Sequence, residues 1–240
     1  MMRTLGLARL LSILMLAAVF TSVTALAQSE DVHATVVITH PNGQKGGEHA
    51  AAPTVVVWLS PLAPDVSQTV KPGHFRMAQK NKSFHPHLLV VPLGSTISFP
   101  NLDPFFHNVF SQFNGKSFDL GLYEAGSSKD VRFDQEGISY IFCDIHPEMS
   151  AVVITLATPW YAVSPTAGSI DIRTVPPGAY ELHVWAEGAD AKQLEALTRR
   201  VHIDASNADL GTIRVATSAT PPPHKNKFGA DYTPDPTSPY

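Results

Sequence analysis

Short apolar stretches separated by Pro, Gly and Asn run along most of this chain, and at roughly four to eight residues each they have the length of strands and not of helices. Val32 to Thr39 and Thr54 to Trp58 read as two strands, Ala34-Thr-Val-Val-Ile-Thr39 and Thr54-Val-Val-Val-Trp58. The glycines of Asn42-Gly43 and Gly46-Gly47 mark the loop between them. A Pro-punctuated stretch follows, and a new series opens at His74: strands are expected near Phe75, at 88–92, 95–99, 107–111, 128–133, 139–143 and 151–156, with turns at Gly94, Gly115, Gly121, Gly126 and Gly137. That series predicts a Greek-key sandwich. Past Thr158-Pro159 the texture changes to Gly168-Ser-Ile-Asp-Ile-Arg173, Val175-Pro-Pro-Gly-Ala-Tyr-Glu-Leu-His-Val-Trp185, and further strands at 201–204 and 212–215. Tyr180 and Trp185 are expected to fill the core of this second sandwich. Only 190–200, with Leu194 and Leu197 three apart, suits a short helix. The pattern predicts an all-β protein of two sandwiches. Residues 217–240, with Pro221-Pro222-Pro223 and Pro234 to Pro239, lack apolar periodicity and are expected to form a disordered tail.

Composition changes this picture in two places. The first 27 residues pair Arg3 and Arg9 with an apolar run and close on Ala25-Leu26-Ala27, the features of a secretory signal cleaved after Ala27. The run is shorter than the roughly 20 residues of a spanning helix, so no membrane span is expected and the protein is placed in the periplasm or outside the cell. There, thiols pair or bind something, yet this chain of 240 residues has a single cysteine. The formal net charge of −4, more negative once Arg3 and Arg9 leave, argues against a nucleic-acid partner.

The lone cysteine lies in Tyr140-Ile-Phe-Cys143-Asp-Ile-His146-Pro-Glu-Met149, where a thiol, an imidazole and a thioether recur every third residue after an apolar run. Soft sulfur donors with an imidazole suit copper better than zinc, calcium or magnesium, and a trigonal blue-copper site needs a second imidazole. His107, in Pro104-Phe-Phe-His107-Asn-Val-Phe110, is the candidate. The lone thiol excludes dinuclear centres that need two cysteines. His85 and His87 alternate in Phe84-His-Pro-His87 and, with Met77, raise the question of a second copper; they are left outside the site. The chain shows no nucleophile motif, phosphate loop or metal-hydrolase helix, and Phe142-Cys143-Asp144 lacks the His-Cys-His linkage of multicopper enzymes, so no enzyme activity is expected.

Residues 84–154 resemble the cupredoxins of the plastocyanin, pseudoazurin and amicyanin group, through Phe84-x-Pro86, Val90 to Gly94, Phe99-x-Asn101, His107-Asn108-Val109 and Cys143-x-x-His146-x-x-Met149, the last spacing being that of amicyanin. The resemblance implies one type 1 copper ion held by His107, Cys143 and His146 with Met149 as weak axial ligand. It also implies Asn108 as the residue tying the two ligand loops together, and an imidazole edge of His146 at the surface as electron port, framed by Pro104, Phe105 and Pro147. Similar domains occur in exported methylamine utilisation proteins. The later strands resemble carboxypeptidase-regulatory-like, prealbumin-type sandwiches, whose first two strands 32–59 would supply. The expected organisation is therefore a discontinuous sandwich from 28–70 and 157–216, with a cupredoxin domain at 72–156 inserted; the alternative is two consecutive domains, the N-terminal strands belonging to the copper module. The function implied is an exported carrier of single electrons that meets a redox partner, a dehydrogenase or a cytochrome. The alternative is a periplasmic copper-handling protein.

Overall fold

The computed structural model describes residues 28–39, 53–66, 68–112, 115–164, 167–218 and 224–232. The expected signal segment and the Asn42-Gly43 and Gly46-Gly47 turns lie outside them. In chain order the first strands are β1 (Glu30–Thr39), β2 (Val55–Pro61), β3 (His74–Arg76), β4 (Ala78–Gln79), β5 (Phe84–His85), β6 (Leu88–Pro92), β7 (Ser95–Pro100) and β8 (His107–Ser111). There follow β9 (Phe118–Tyr123), β10 (Ser128–Phe133), β11 (Gly137–Phe142), β12 (Ser150–Leu156), β13 (Tyr161–Ser164), β14 (Gly168–Val175), β15 (Gly178–Ala186), helix α1 (Ala191–Leu197), β16 (Arg199–Ile203) and β17 (Asp209–Ala216). The all-β class is as the pattern predicts.

Strands from the two ends of the chain pair with each other. One sheet has the order β14-β1-β17 and a second the order β13-β2-β15-β16. Their facing side chains share one core: Val32, Val36, Ile172 and Val215 from the first sheet, Val57, Leu59, Tyr180 and Ile203 from the second. The segment between β2 and β13 builds a five-stranded sheet, β6-β12-β11-β8-β9, a three-stranded sheet, β10-β7-β3, and the β4-β5 hairpin. Its core holds Phe99, Val109, Phe133 and Ile141 together with Cys143 and Met149.

Between these two cores lies a third cluster, Val56, Val152, Ile154, Leu156 and Trp185. It explains the unbroken apolar runs. In β12, Ala151 and Val153 face the core of Cys143, and Val152, Ile154 and Leu156 face the third cluster. A strand covered on both faces needs no polar alternation. Trp185 belongs to this junction and not to the core that Tyr180 fills; its indole N–H donates to the Tyr140 hydroxyl at 3.3 Å.

Three elements differ from the sequence pattern. Gly121 sits inside β9 and not at a turn: its positive φ of 65° accompanies a register shift between β8 and β9, a bulge that a side chain would strain. Helix α1 is shorter than the 190–200 expected, because Asp190 caps it through the amides of Lys192 and Gln193, and Arg199 and Arg200 already pair in β16. The tail expected to be disordered over 217–240 includes two described stretches, 217–218 and 224–232. Thr217 bridges Ala189, and 224–232 form a turn in which the Asn226 side chain accepts the amides of Phe228 and Ala230, both at 3.0 Å. Polar side-chain bonds hold this turn, and these leave no apolar period to read.

Where the junction opens to solvent, His87 before β6 reaches Glu187 after β15 at 2.6 Å and the Ser150 carbonyl at 3.0 Å. The Glu187 hydrogen bond, against opposing burial, holds His87 above its ordinary 6.5, and the same bond holds Glu187 below its ordinary 4.5. Its contribution to stability is complete between those two values, fades as pH rises through the raised His87 value, and fades as pH falls through the lowered Glu187 value. Glu187→Gln is expected to destabilise the protein chiefly near about pH 5–6, by less than about 1 kcal/mol because both groups are part-exposed. Trp185→Ala, at a fully buried site, is expected to cost about 3–5 kcal/mol at every pH. Urea denaturation of both variants across pH checks the contrast.

Candidate metal centre

Two adjacent strands and one loop bring the candidate ligands together. His107 opens β8, where the chain leaves the Pro104-Phe105 turn, and all five residues of β8 are buried. Cys143 follows β11 directly, held by the pairing of Phe142 with Phe110 across β8 and with Ser150 across β12. His146 lies in the loop between β11 and β12. That loop closes on itself: the Cys143 amide donates to the Met149 carbonyl at 3.3 Å, and the Met149 amide to the His146 carbonyl at 3.0 Å.

The result is a compact donor cluster. Cys143 Sγ lies 3.8 Å from His107 Nδ1 and 3.6 Å from His146 Nδ1, and the two imidazole nitrogens are 3.1 Å apart. Among the described residues this is the one group of three or more His, Cys, Asp or Glu side chains with converging ligand atoms. Metal–N bonds of about 2.0–2.1 Å and metal–S bonds of about 2.3 Å set the donors of a trigonal plane about 3.6–3.8 Å apart. The two sulfur–nitrogen spacings match and the nitrogen pair is tighter. The donor set fits one copper ion by its softness.

The surroundings raise the Cys143 thiol and lower His146. Burial pushes the Cys143 thiol up, while the backbone N–H groups of Asn108, Ile145 and His146 face the sulfur and favour the thiolate. Burial and then the neighbouring His107 and Lys82 push His146 down, keeping its Nδ1 free to ligate. Its Nε2 is buried and has no hydrogen-bond partner. Asn108 bridges outward: its side-chain oxygen accepts the Asp144 amide at 3.3 Å and its amide nitrogen donates to Asp119 at 2.7 Å. Met149 is buried beside Cys143 in the same core.

The expected surface edge of His146 is absent. The residue is only 2% exposed, because Phe105 lies against its ring at 5.6 Å. The phenyl ring that was expected to frame the imidazole covers it instead. His85 and His87 do not join the centre: His85 faces the Lys80 carbonyl at 3.2 Å, and His87 is bound to Ser150 and Glu187.

Sequence reading missed Asp103. Its carboxylate lies 2.8 Å from His107 Nε2, the nitrogen turned away from the cluster, and both groups are buried. The carboxylate also accepts the amides of Asn81 at 2.6 Å and Lys82 at 3.0 Å, two residues with positive φ of 54° and 52°. Burial raises the carboxyl, but these amides and His107 together hold it below its ordinary value. A carboxylate on the outer nitrogen orients a ligating imidazole and makes it more basic. The signal was an acid four residues before the histidine across a proline turn, legible only once His107 is taken as a ligand.

No protein-family model matches the chain, nor does any curated protein. Among solved structures it is similar to a purple cupredoxin from Nitrosopumilus maritimus, at 22% identity over 34% of this chain and 98% of that one, with a TM-score of 0.31. It is similar to a Cu-containing nitrite reductase from Thermus scotoductus SA-01 at 19% identity, over 52% of this chain and 28% of that one, with a TM-score of 0.35. A reduced Cu(I) amicyanin variant gives 15% identity over 42% and 98%, with a TM-score of 0.31.

Asp103→Asn keeps the shape of the side chain but removes the charge facing His107. It is expected to weaken copper binding by about 10–100-fold with the fold retained, read by competition with a chromogenic chelator alongside circular dichroism.

Proposed function

We propose that this protein is an exported mononuclear type 1 copper protein that carries single electrons between redox partners. The observation that carries the reading is the buried convergence of His107 Nδ1, Cys143 Sγ and His146 Nδ1, all within 4.8 Å of one another. Copper bound there supplies a one-electron Cu(II)/Cu(I) couple. His107, Cys143 and His146 would hold the ion, and Met149, buried in the same core as Cys143, would offer it a thioether. Asn108 links the first ligand strand to the second ligand loop through Asp144, and Asp103 fixes His107. A cage tied down on all sides changes little between oxidation states, which favours rapid electron exchange.

Burial separates this reading from copper handling. A site that passes ions onward needs access to its ligands, whereas here Cys143, His107 and His146 are all enclosed. The loops supplying the ligands also carry Leu102, Phe106 and Ile145, which are 49%, 50% and 40% exposed. Apolar side chains at the rim of a redox centre suit small, short-lived contacts with a partner protein. The role assigned is binding and electron transfer, with the chemistry left to that partner. We place the cupredoxin domain at 72–156 as an insertion in a prealbumin-like sandwich of 28–70 and 157–216, and the protein in the periplasm or outside the cell; the pairing of strands from both chain ends supports the first of these.

The visible spectrum of the mature protein with Cu(II) tests the reading. An intense thiolate-to-copper band that ascorbate bleaches reversibly is expected, absent from Cys143→Ala and unchanged in His85→Ala. Uptake of Cu(I) alone, or a weak tetragonal spectrum, would return the assignment to copper handling.

A further inference from the structure

Residues 224–232 lie more than seventy positions beyond the ligand loop, yet they grip it at three places. The Tyr232 hydroxyl donates to the carbonyl of Cys143 at 3.0 Å. The Lys227 amide donates to the Asp144 carboxylate at 3.0 Å. His224 Nε2 meets the Pro147 carbonyl at 2.7 Å. Ring contacts reinforce the bonds: His224 stacks on Phe142 with centroids 4.0 Å apart and 19° between planes, and Tyr232 meets His224 edge-on at 5.1 Å. Lys227 further pairs with Asp119 at 3.1 Å, the same carboxylate group that anchors the Asn108 side chain.

The segment is built to hold this shape. Lys225 pairs with Asp231 across its base, and Asn226 accepts the amides of Phe228 and Ala230 while its own amide donates to the Ala230 carbonyl at 2.9 Å. Ser218, the last described residue before it, is held by the other sandwich. The chain leaves β17 past Gly188, where the Ser218 amide donates to the Gly188 carbonyl at 2.8 Å, and a Cβ on Gly188 would stand 2.7 Å from the Ser218 carbonyl oxygen. His224 and Tyr232 then line one side of a groove of about 780 Å³ whose other side is Trp185 and Glu187.

We infer that residues 224–232 are a strap that positions the copper loop from outside the cupredoxin unit, with Tyr232 as a positioning residue for Cys143. Asn108 holds the loop from within, through the Asp144 amide, and the strap holds the same residue by its side chain and its neighbour by its carbonyl. The cysteine is thereby fixed on both flanks. The second sandwich acquires a role, as the anchor from which the strap is delivered. Only the spectroscopic arm of the test rests on the copper reading.

The test compares full-length wild type with Tyr232→Phe, which removes the hydroxyl and keeps the ring, and with Asn226→Ala, which loosens the strap without touching the loop. In the metal-free proteins, amide hydrogen exchange of peptides spanning 143–149 is expected to speed up by about five-fold in Tyr232→Phe, the loss of one hydrogen bond, and to rise in Asn226→Ala as well. In the Cu(II) proteins, both substitutions are expected to shift the thiolate-to-copper band and the reduction potential in the same direction. Unchanged exchange at 143–149 in both variants overturns the inference, as does faster exchange confined to 224–232. A wild type that takes up no copper would sink the functional proposal and leave the exchange comparison standing.

Discussion

Burial of β12 on both faces is the constraint on which the rest depends. Its odd and even side chains serve different cores, Ala151 and Val153 beside the ligands and Val152, Ile154 and Leu156 against Val56 and Trp185. A one-residue slip would exchange the two sets. The register of β12 against β11, Gly137 with Thr155 through Phe142 with Ser150, is therefore locked from two directions. The ligand loop is what joins those two strands, so its ends inherit that precision.

Electrostatics then does within the loop what packing does at its ends. An unshielded buried thiolate next to two imidazoles is expensive, and three amides directed at the sulfur offset part of that cost. Around this, carboxylates act as fixed points: Asp103 on the outer nitrogen of His107, Asp119 between the Asn108 and Lys227 side chains, and Asp144 on the Lys227 amide while its own backbone amide donates to Asn108. The apolar core fixes the strands to which these groups belong, and the polar shell fixes the directions of the side chains. Neither alone would bring three donors to one point.

The contact between the two sandwiches has the same division. The indole of Trp185 dominates energetically, since its truncation is worth several times what a part-exposed ion pair such as His87–Glu187 contributes. The ion pair adds pH sensitivity at the rim. A joint made this way is firm enough for one sandwich to present a peptide segment to the other, and the strap at 224–232 uses it.

The primary structure by itself determined the all-β class, most strands, and the three donors, because strand periodicity and ligand spacing are local properties: Cys143 and His146 are three residues apart, and His107 stands out by its aromatic surroundings. Asp103 was within reach of the same logic but carries no mark until its histidine is known to ligate. Only the tertiary structure decided that Phe105 covers His146 instead of framing it, that Trp185 leaves its own sandwich to fill the junction, that Gly121 bulges a strand, and that Tyr232 finds the carbonyl of Cys143. Each of these turns on which distant surface a side chain meets. The bonds that order 224–232 join polar groups across 77 to 89 positions of sequence, and contacts at that separation leave no periodic trace in the chain.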